Sequence, residues 1–346
     1  MKVLLAIGLV GLAALASDDT PRYAPKEGAQ LVRTWESRIE LDLEKWELRI
    51  DDREPMDVLE LGLGFDMQIE HNRQLELTDT FTRVNAGRPE RVERAFTTIA
   101  AKAKATRGSE RFSSETKFEG TSRLAGERVV FERDGDAWKV GFADGSRTVE
   151  ELLAGLEQDL DFSAWLPGRS VEIGERWKIE ARTLDALLRP GGALKLELKA
   201  SGASSEAIKI IGASPDLWIG EFEGDVDATL VAVDSKDGAR LARIRLEVDA
   251  RAEKDLREVI RELNETAGHV DAGTLEDCTD VLTWEAEGAL VWDIAAGRMR
   301  SLELDGHLDV AYRIHAIGEP SGYGTEWDHR MSFHGKLAVE LEVGEP

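Results

Sequence analysis

The C-terminal part of the chain alternates apolar and polar side chains with a period of two. From Leu282 to Ile294 the apolar residues Leu282, Trp284, Leu290, Trp292 and Ile294 hold even positions, with Glu285, Glu287 and Asp293 between them. Leu304, Leu308, Val310, Tyr312 and Ile314 repeat the pattern against Glu303, Asp305, His307, Asp309 and Arg313. Met331, Phe333, Leu337, Val339, Leu341 and Val343 repeat it once more. Successive side chains of a strand leave on opposite faces, so this spacing predicts three long strands with one buried and one wet side. Sheets wet on one side are characteristically antiparallel, because parallel strands are covered on both. The fold class that follows is mainly β (α+β): a large curved antiparallel sheet or half-barrel with two or three packed helices.

The same reading extends upstream. Apolar residues favour odd positions from Leu31 to Leu41, then even ones at Trp46, Leu48 and Ile50, which predicts a bulge near Lys45. Further strands are expected at Phe65 to Leu77, Arg91 to Ala105, Arg128 to Phe131 and Trp138 to Phe142, the last two joined by a turn at Asp134-Gly135-Asp136. Val171 to Ala181, Leu194 to Ala200, Leu217 to Val233 and Leu241 to Arg251 complete the set. Helices are expected at Arg147 to Leu160, where Thr148 and Glu151 have capping-box spacing, and at Thr183 to Arg189, stopped by Pro190-Gly191-Gly192. A third is expected at Ala252 to Thr266, with Leu256, Val259, Ile260 and Leu263 on one stripe.

Met1-Lys2, an apolar stretch from Val3 to Ala13 and the small residues of Ala14-Leu15-Ala16 read as a secretory signal over 1–16, cleaved before Ser17. The apolar run is shorter than the ~20 residues a bilayer span needs, and nothing later is long and apolar enough to replace it. Export follows, to a periplasmic or extracellular location, with no transmembrane segment after cleavage. Residues 17–29, with Pro21 and Pro25, are expected to form a flexible tail, and 30–346 a single large antiparallel β-rich domain. The run Ala200-Ser201-Gly202-Ala203-Ser204-Ser205 makes 200–216 the place for any internal boundary.

With 44 basic and 68 acidic residues, the formal net charge is −24. Such a surface repels phosphate backbones and anionic head groups, which argues against nucleic acid as a partner. The only cysteine, Cys278, forms no internal disulfide and reads as a buried or idle thiol. There is no Gly-x-Ser-x-Gly elbow, phosphate loop, His-Glu-x-x-His helix or Cys-x-x-Cys pair. His307 and His315 are eight residues apart on one strand, too far to share a metal, and Asp328-His329 beside Glu326 reads as a solvated strand end. No catalytic residue, metal site or cofactor is therefore expected.

Gly224, Gly288, Gly306 and Gly335 interrupt the apolar sets of their strands. A three-residue loop at Ala295-Ala296-Gly297 would put Ile294 opposite Arg298, Gly306 opposite Ala286 and Gly288 opposite Leu304. Glycine within a strand marks a bend or the close approach of another group. Bending of the sheet is one reading. The other is a trough admitting a helix or a lipid-like ligand, with Gly288 and Gly306 as its floor. Trp284 and Trp292, about 26 Å apart at ~3.3 Å per residue, would then stand at its rims. Tyr323 and Trp327, on the glycine-rich loop Ile317 to Asp328, are further binding candidates.

Val171-Glu172-Ile173-Gly174-Glu175-Arg176-Trp177, followed by amphipathic hairpins such as Phe222 to Val248 and Trp284 to Ile314, resembles a pattern in uncharacterised exported bacterial β-rich proteins. The resemblance runs from Lys26 to Ile317. It implies no activity and no functional residues. The architecture is also similar to that of periplasmic lipoprotein carriers. These readings lead to an exported, non-catalytic binding or interaction protein of the cell envelope, with a lipid-like ligand or an unidentified envelope protein as partner. A structural or assembly module docking a protein is the alternative, and an exported hydrolase comes last.

Overall fold

The computed structural model describes residues 20–61, 66–109, 112–145, 149–202, 219–236, 238–266, 274–317 and 326–346. Its strands are β1 (Gln30–Ile50), β2 (Met56–Asp57), β3 (Asp66–Asn85), β4 (Arg88–Ser109), β5 (Phe112–Ser122), β6 (Arg128–Asp134) and β7 (Ala137–Phe142). They continue with β8 (Arg176–Glu180), β9 (Leu196–Gly202), β10 (Glu221–Lys236), β11 (Ala239–Asp255), β12 (Thr274–Asp293), β13 (Arg298–Ile317) and β14 (Glu326–Gly344). All fourteen join one antiparallel sheet in the order β7-β6-β4-β3-β1-β14-β13-β12-β11-β10-β8, with β2 beside β1, β5 beside β4 and β9 beside β5. Strands from both sides of 200–216 enter it, and the sheet does not close on itself.

Alternation sets the two faces. Leu31, Trp35, Ile39 and Leu41 of β1 are buried together with Leu337, Val339 and Leu341 of β14 and Leu302, Leu304 and Leu308 of β13. The register of β1 against β14 shifts between Leu43 and Lys45, at the expected bulge. The β12–β13 hairpin differs in detail from the expected loop. Asp293, not Ile294, faces Arg298, and the ladder shifts between Val291 and Trp292, so that Arg300 is the extra residue. The shift restores the expected pairs Ala286–Gly306 and Gly288–Leu304. Asp293 explains the wider loop: its carboxylate accepts the amide of Ala296 at 2.9 Å and the guanidinium of Arg300 at 3.0 and 3.2 Å.

The apolar face is covered by the chain's own residues 149–175 and 181–194, on either side of β8, and sheet and cover form one contiguous core. Arginines rising from the sheet hold the cover down. Arg94 on β4 makes two bonds to Asp79 directly across the β3–β4 ladder, 2.7 and 3.1 Å. It also donates to the carbonyls of Glu157 and Gln158, both at 2.8 Å. Arg33 on β1 donates to Asp79 at 3.1 Å, to Asp161 at 2.9 Å and to the carbonyl of Leu160 at 3.2 Å. Burial opposes the charge on Arg33, but Asp161 and Asp79 more than offset it, so its guanidinium binds its proton more tightly than usual. Arg73 on β3 and the Trp35 indole donate to the carbonyls of Leu188 and Leu187, both at 3.1 Å.

Among the described residues, the helix expected at Arg147 to Leu160 does not form. Residues 146–148 lie outside the described residues, and beyond them only a 3-10 turn at Glu150–Leu152 is helical. Gly155 takes a left-handed backbone (φ 80°) that interrupts any helix. The carbonyls of Glu157, Gln158 and Leu160, which would have no partner within a helix ending at Leu160, accept from Arg94 and Arg33. The stripe Leu152, Leu156 and Leu160 is still buried, by a chain pinned to the sheet. Two α-helices are described: α1 (Leu184–Leu188), at the expected place, and α2 (Arg257–Thr266). The latter starts late because β11 continues to Asp255.

The stretch expected as a loose tail is described from Thr20, and from there it packs along the sheet. Thr20, Pro21 and Pro25 are buried, Ala24 donates to the carbonyl of Gly297 at 2.9 Å, and Gly28 donates to that of Phe81 at 2.8 Å. The carbonyl of Arg22 also accepts the Trp292 indole at 3.3 Å.

Removing one partner of a buried ion pair strands the other in the interior, which costs about 3–5 kcal/mol. Asp79→Ala leaves both Arg33 and Arg94 short of their shared carboxylate. Urea unfolding should show a loss of about 3–5 kcal/mol. A loss below about 1 kcal/mol, the scale of a surface pair, would make the cluster incidental.

Candidate functional site

The glycine seam is where neighbouring strands come closest. A Cβ on Gly288 would overlap the carbonyl oxygen of Glu303, one on Gly306 that of Glu285, and one on Gly335 that of Glu40. In each case the obstacle is the strand next in the ladder, as expected where a sheet coils steeply. Trp284 and Trp292 are both fully buried in the core. The Trp292 ring meets that of Tyr23 edge-on, with centroids 6.5 Å apart. Trp327 is half-buried, 6.4 Å from the His329 ring, which in turn lies 5.4 Å from that of Trp46. Tyr323 lies outside the described residues. The structure thus brings Gly288 and Gly306 together and leaves Trp327 at the far end of the core.

That end gathers polar groups on the apolar face. Asp280 faces Tyr312 across the β12–β13 ladder, and Cys278 Sγ lies 3.7 Å from the Tyr312 hydroxyl. Burial pushes the Cys278 thiol up to about 11, so it is a protonated, unreactive group. Burial likewise raises the Asp280 carboxyl to about 8, and holds His329 down at about 4 and His71 at about 3. All three are uncharged near neutral pH. Asp280 Oδ1, the Trp284 and Trp327 indole nitrogens and His329 Nε2 are buried without a protein partner. A sequence signal for these groups exists: Asp280 stands in the apolar register between Cys278 and Leu282, as Arg33, Asp79 and Arg94 do in theirs.

The outer face is ionic. A trough of about 990 Å³ crosses β8 and β10 to β13. Seven carboxylates line it: Asp225, Asp227, Glu247, Asp249, Glu285, Glu287 and Asp305. Many face one another directly, as Asp225–Asp249, Asp249–Glu285, Asp227–Glu247, Glu247–Glu287 and Glu287–Asp305. Like charges opposite one another on a sheet are destabilising. Two cations of β8 relieve one end: Arg176 lies 2.6 Å from Asp227 and 3.3 Å from Glu247, and Lys178 lies 2.6 Å from Asp225 and 2.9 Å from Asp227.

The histidines scatter across the sheet. His334 bonds Asp309 at 2.6 Å on the outer face and stacks on His307, whereas His329 points into the core. Asp328 is engaged by Arg330 at 2.9 Å and Arg313 at 3.3 Å. Among the described residues no group of three His, Cys, Asp or Glu side chains is placed to hold a metal ion.

Asp280 carries a pH signature with a defined sign. Its folded-state value lies above the ordinary carboxylate value of 3.8. Below that value both folded and unfolded chains are protonated and the residue costs nothing. As pH rises toward 8 the unfolded chain releases the proton more easily, and stability falls. Against Asp280→Asn, the wild type should lose stability by up to roughly 1.4 kcal/mol per pH unit across that window. Parallel stability curves between pH 4 and pH 8 would show that the carboxyl titrates normally.

No family model matches the chain, and no curated relative matches it. Among solved structures, the outer membrane protein OprG of Pseudomonas aeruginosa is similar at 7% identity and a TM-score of 0.23, over 94% of this chain and 100% of that one. A Pseudomonas aeruginosa FadL homologue is similar at 9% identity and 0.22, over 92% and 90%. The secretin InvG of the Salmonella SPI-1 type III secretion injectisome is similar at 10% and 0.16, over 92% and 65%. At these TM-scores the likeness carries no argument about fold or function.

Proposed function

We propose that this chain is an exported, non-catalytic interaction protein of the cell envelope that offers its outer, ionic sheet face to a partner. The observation that carries the reading is the occupation of the apolar face by residues 149–175 and 181–194. A lipid-like ligand reaching Trp284, Gly288, Trp292 or Gly306 would have to displace core that the arginines pin in place. The outer face bears a trough of about 990 Å³ lined by seven carboxylates, of which Arg176 and Lys178 pair three. The signal-like start of the sequence supports export, and the net charge of −24 argues against nucleic acid. No helix among the described residues is long and apolar enough to cross a membrane.

Solvent extraction and mass spectrometry of protein purified from exporting cells tests this reading. It predicts no acyl lipid at stoichiometric amounts. One lipid per chain, lost together with the cover's protection from proteolysis, would overturn it and assign the ligand to the apolar face.

A further inference from the structure

We infer that His71 makes the closure of the cover over the apolar face acid-sensitive. The effect needs only the cover described above, whatever the outer face binds. His71 lies in the apolar register of β3, between Ile69 and Arg73, and is 4% exposed. Among the described residues neither of its ring nitrogens has a hydrogen-bond partner. A neutral imidazole leaves one donor and one acceptor unmet there, and an imidazolium would leave two donors and a charge. The neighbouring strands offer no counter-charge. Ile39 faces His71 across the β1 ladder, Ala103 faces it across the β4 ladder, and Phe118 stands beyond Ala103 on β5. Among the described residues Arg73 is the charged side chain that acts on the ring, and it repels a second positive charge.

Position ties this ring to the cover. Arg73, two residues along the same face, donates to the carbonyl of Leu188 at 3.1 Å and lies over the Trp35 ring, 5.7 Å from its centroid. Trp35 in turn donates to the carbonyl of Leu187. Asp185 and Arg189, the charged residues of the cover beside these carbonyls, bond each other at 2.7 Å. Protonation of His71 would therefore place a buried charge about 6.6 Å along the strand from the guanidinium that holds α1 down. Such a charge is tolerable only where water reaches it, which requires the cover to lift. The sign follows from the two states. Above the ordinary value of 6.5 the ring is neutral whether the cover is closed or open, and nothing changes. Burial and then Arg73 hold the closed form down at about 3, so between these values the open form takes up a proton that the closed form does not, and closure weakens as pH falls.

The test is hydrogen exchange of residues 184–188 in wild type and in His71→Leu, always compared at equal pH. Equal pH cancels both the intrinsic pH dependence of exchange and the opposite contribution of Asp280, which the variant keeps. The ratio of wild-type to variant exchange should rise roughly tenfold between about pH 7.5 and about pH 5. His334→Leu removes an exposed histidine that bonds Asp309 on the outer face, and the same ratio taken against it should show no rise. If His71→Leu does not fold, His71→Gln, polar but neutral at every pH, takes its place with the same expectation. A ratio that stays flat overturns the inference, because the ring would then titrate alike under a closed and an open cover. An equal rise against the His334 variant overturns it too, because the acid effect would not belong to His71. One lipid per chain in the extraction experiment sinks the reading of the outer face and leaves this one standing, whereas a flat ratio does the reverse.

Discussion

Three arginines that rise from the apolar face decide how this protein is built. Arg33, Arg73 and Arg94 sit at positions where the alternation calls for aliphatic side chains, and each reaches a backbone carbonyl of the covering segment. A charge taken out of water is stable only if its hydrogen bonds are met, so these groups are tolerable only with the cover in place. The dependence runs both ways. The cover has little regular structure of its own, and the carbonyls of residues 157, 158, 160, 187 and 188 accept from side chains of the sheet. Asp79 lets the arrangement persist, because it accepts from two guanidiniums at once.

The bent sheet and its ionic outer surface belong together. Glycines let adjacent strands approach closely at Gly288, Gly306 and Gly335, so a sheet too large to stay flat coils around its cover. Burial of the apolar face then leaves the outer face as the surface available to partners. On the β10–β13 side carboxylates stand opposite carboxylates, a choice that costs stability and that packing does not require. Features that oppose folding without serving it are where function is best sought.

Much of this was readable from the residues. Strong alternation in β12, β13 and β14 marked both the strands and their buried faces, and the slip near Lys45 located a bulge. Other elements were hidden for physical reasons. Strand β5 turns Thr116, Phe118, Gly120 and Ser122 inward, so its period of two lies in burial and hardly at all in hydropathy. The stripe Leu152, Leu156, Leu160 has helical spacing, yet the left-handed backbone at Gly155 gives the chain another path. At the β12–β13 turn, a wider loop and a bulge cancel, so the long-range register was right while the loop was not. Aromatic and glycine residues such as Trp284, Trp292, Gly288 and Gly306 mark core and close strand approach. The charged residues standing in apolar registers, Arg33, Asp79, Arg94 and Asp280, carried more information about what holds the core together.

Hydrogen exchange read at peptide resolution tests the central claim most directly. If sheet and cover are one cooperative unit, amides in 156–162 and 184–188 should exchange by the same global opening as the central residues of β1 and β3, with matching protection. Rapid exchange of the cover while those strands stay protected would contradict the account, because it would show the segment to be a loose lid over a face that stands without it.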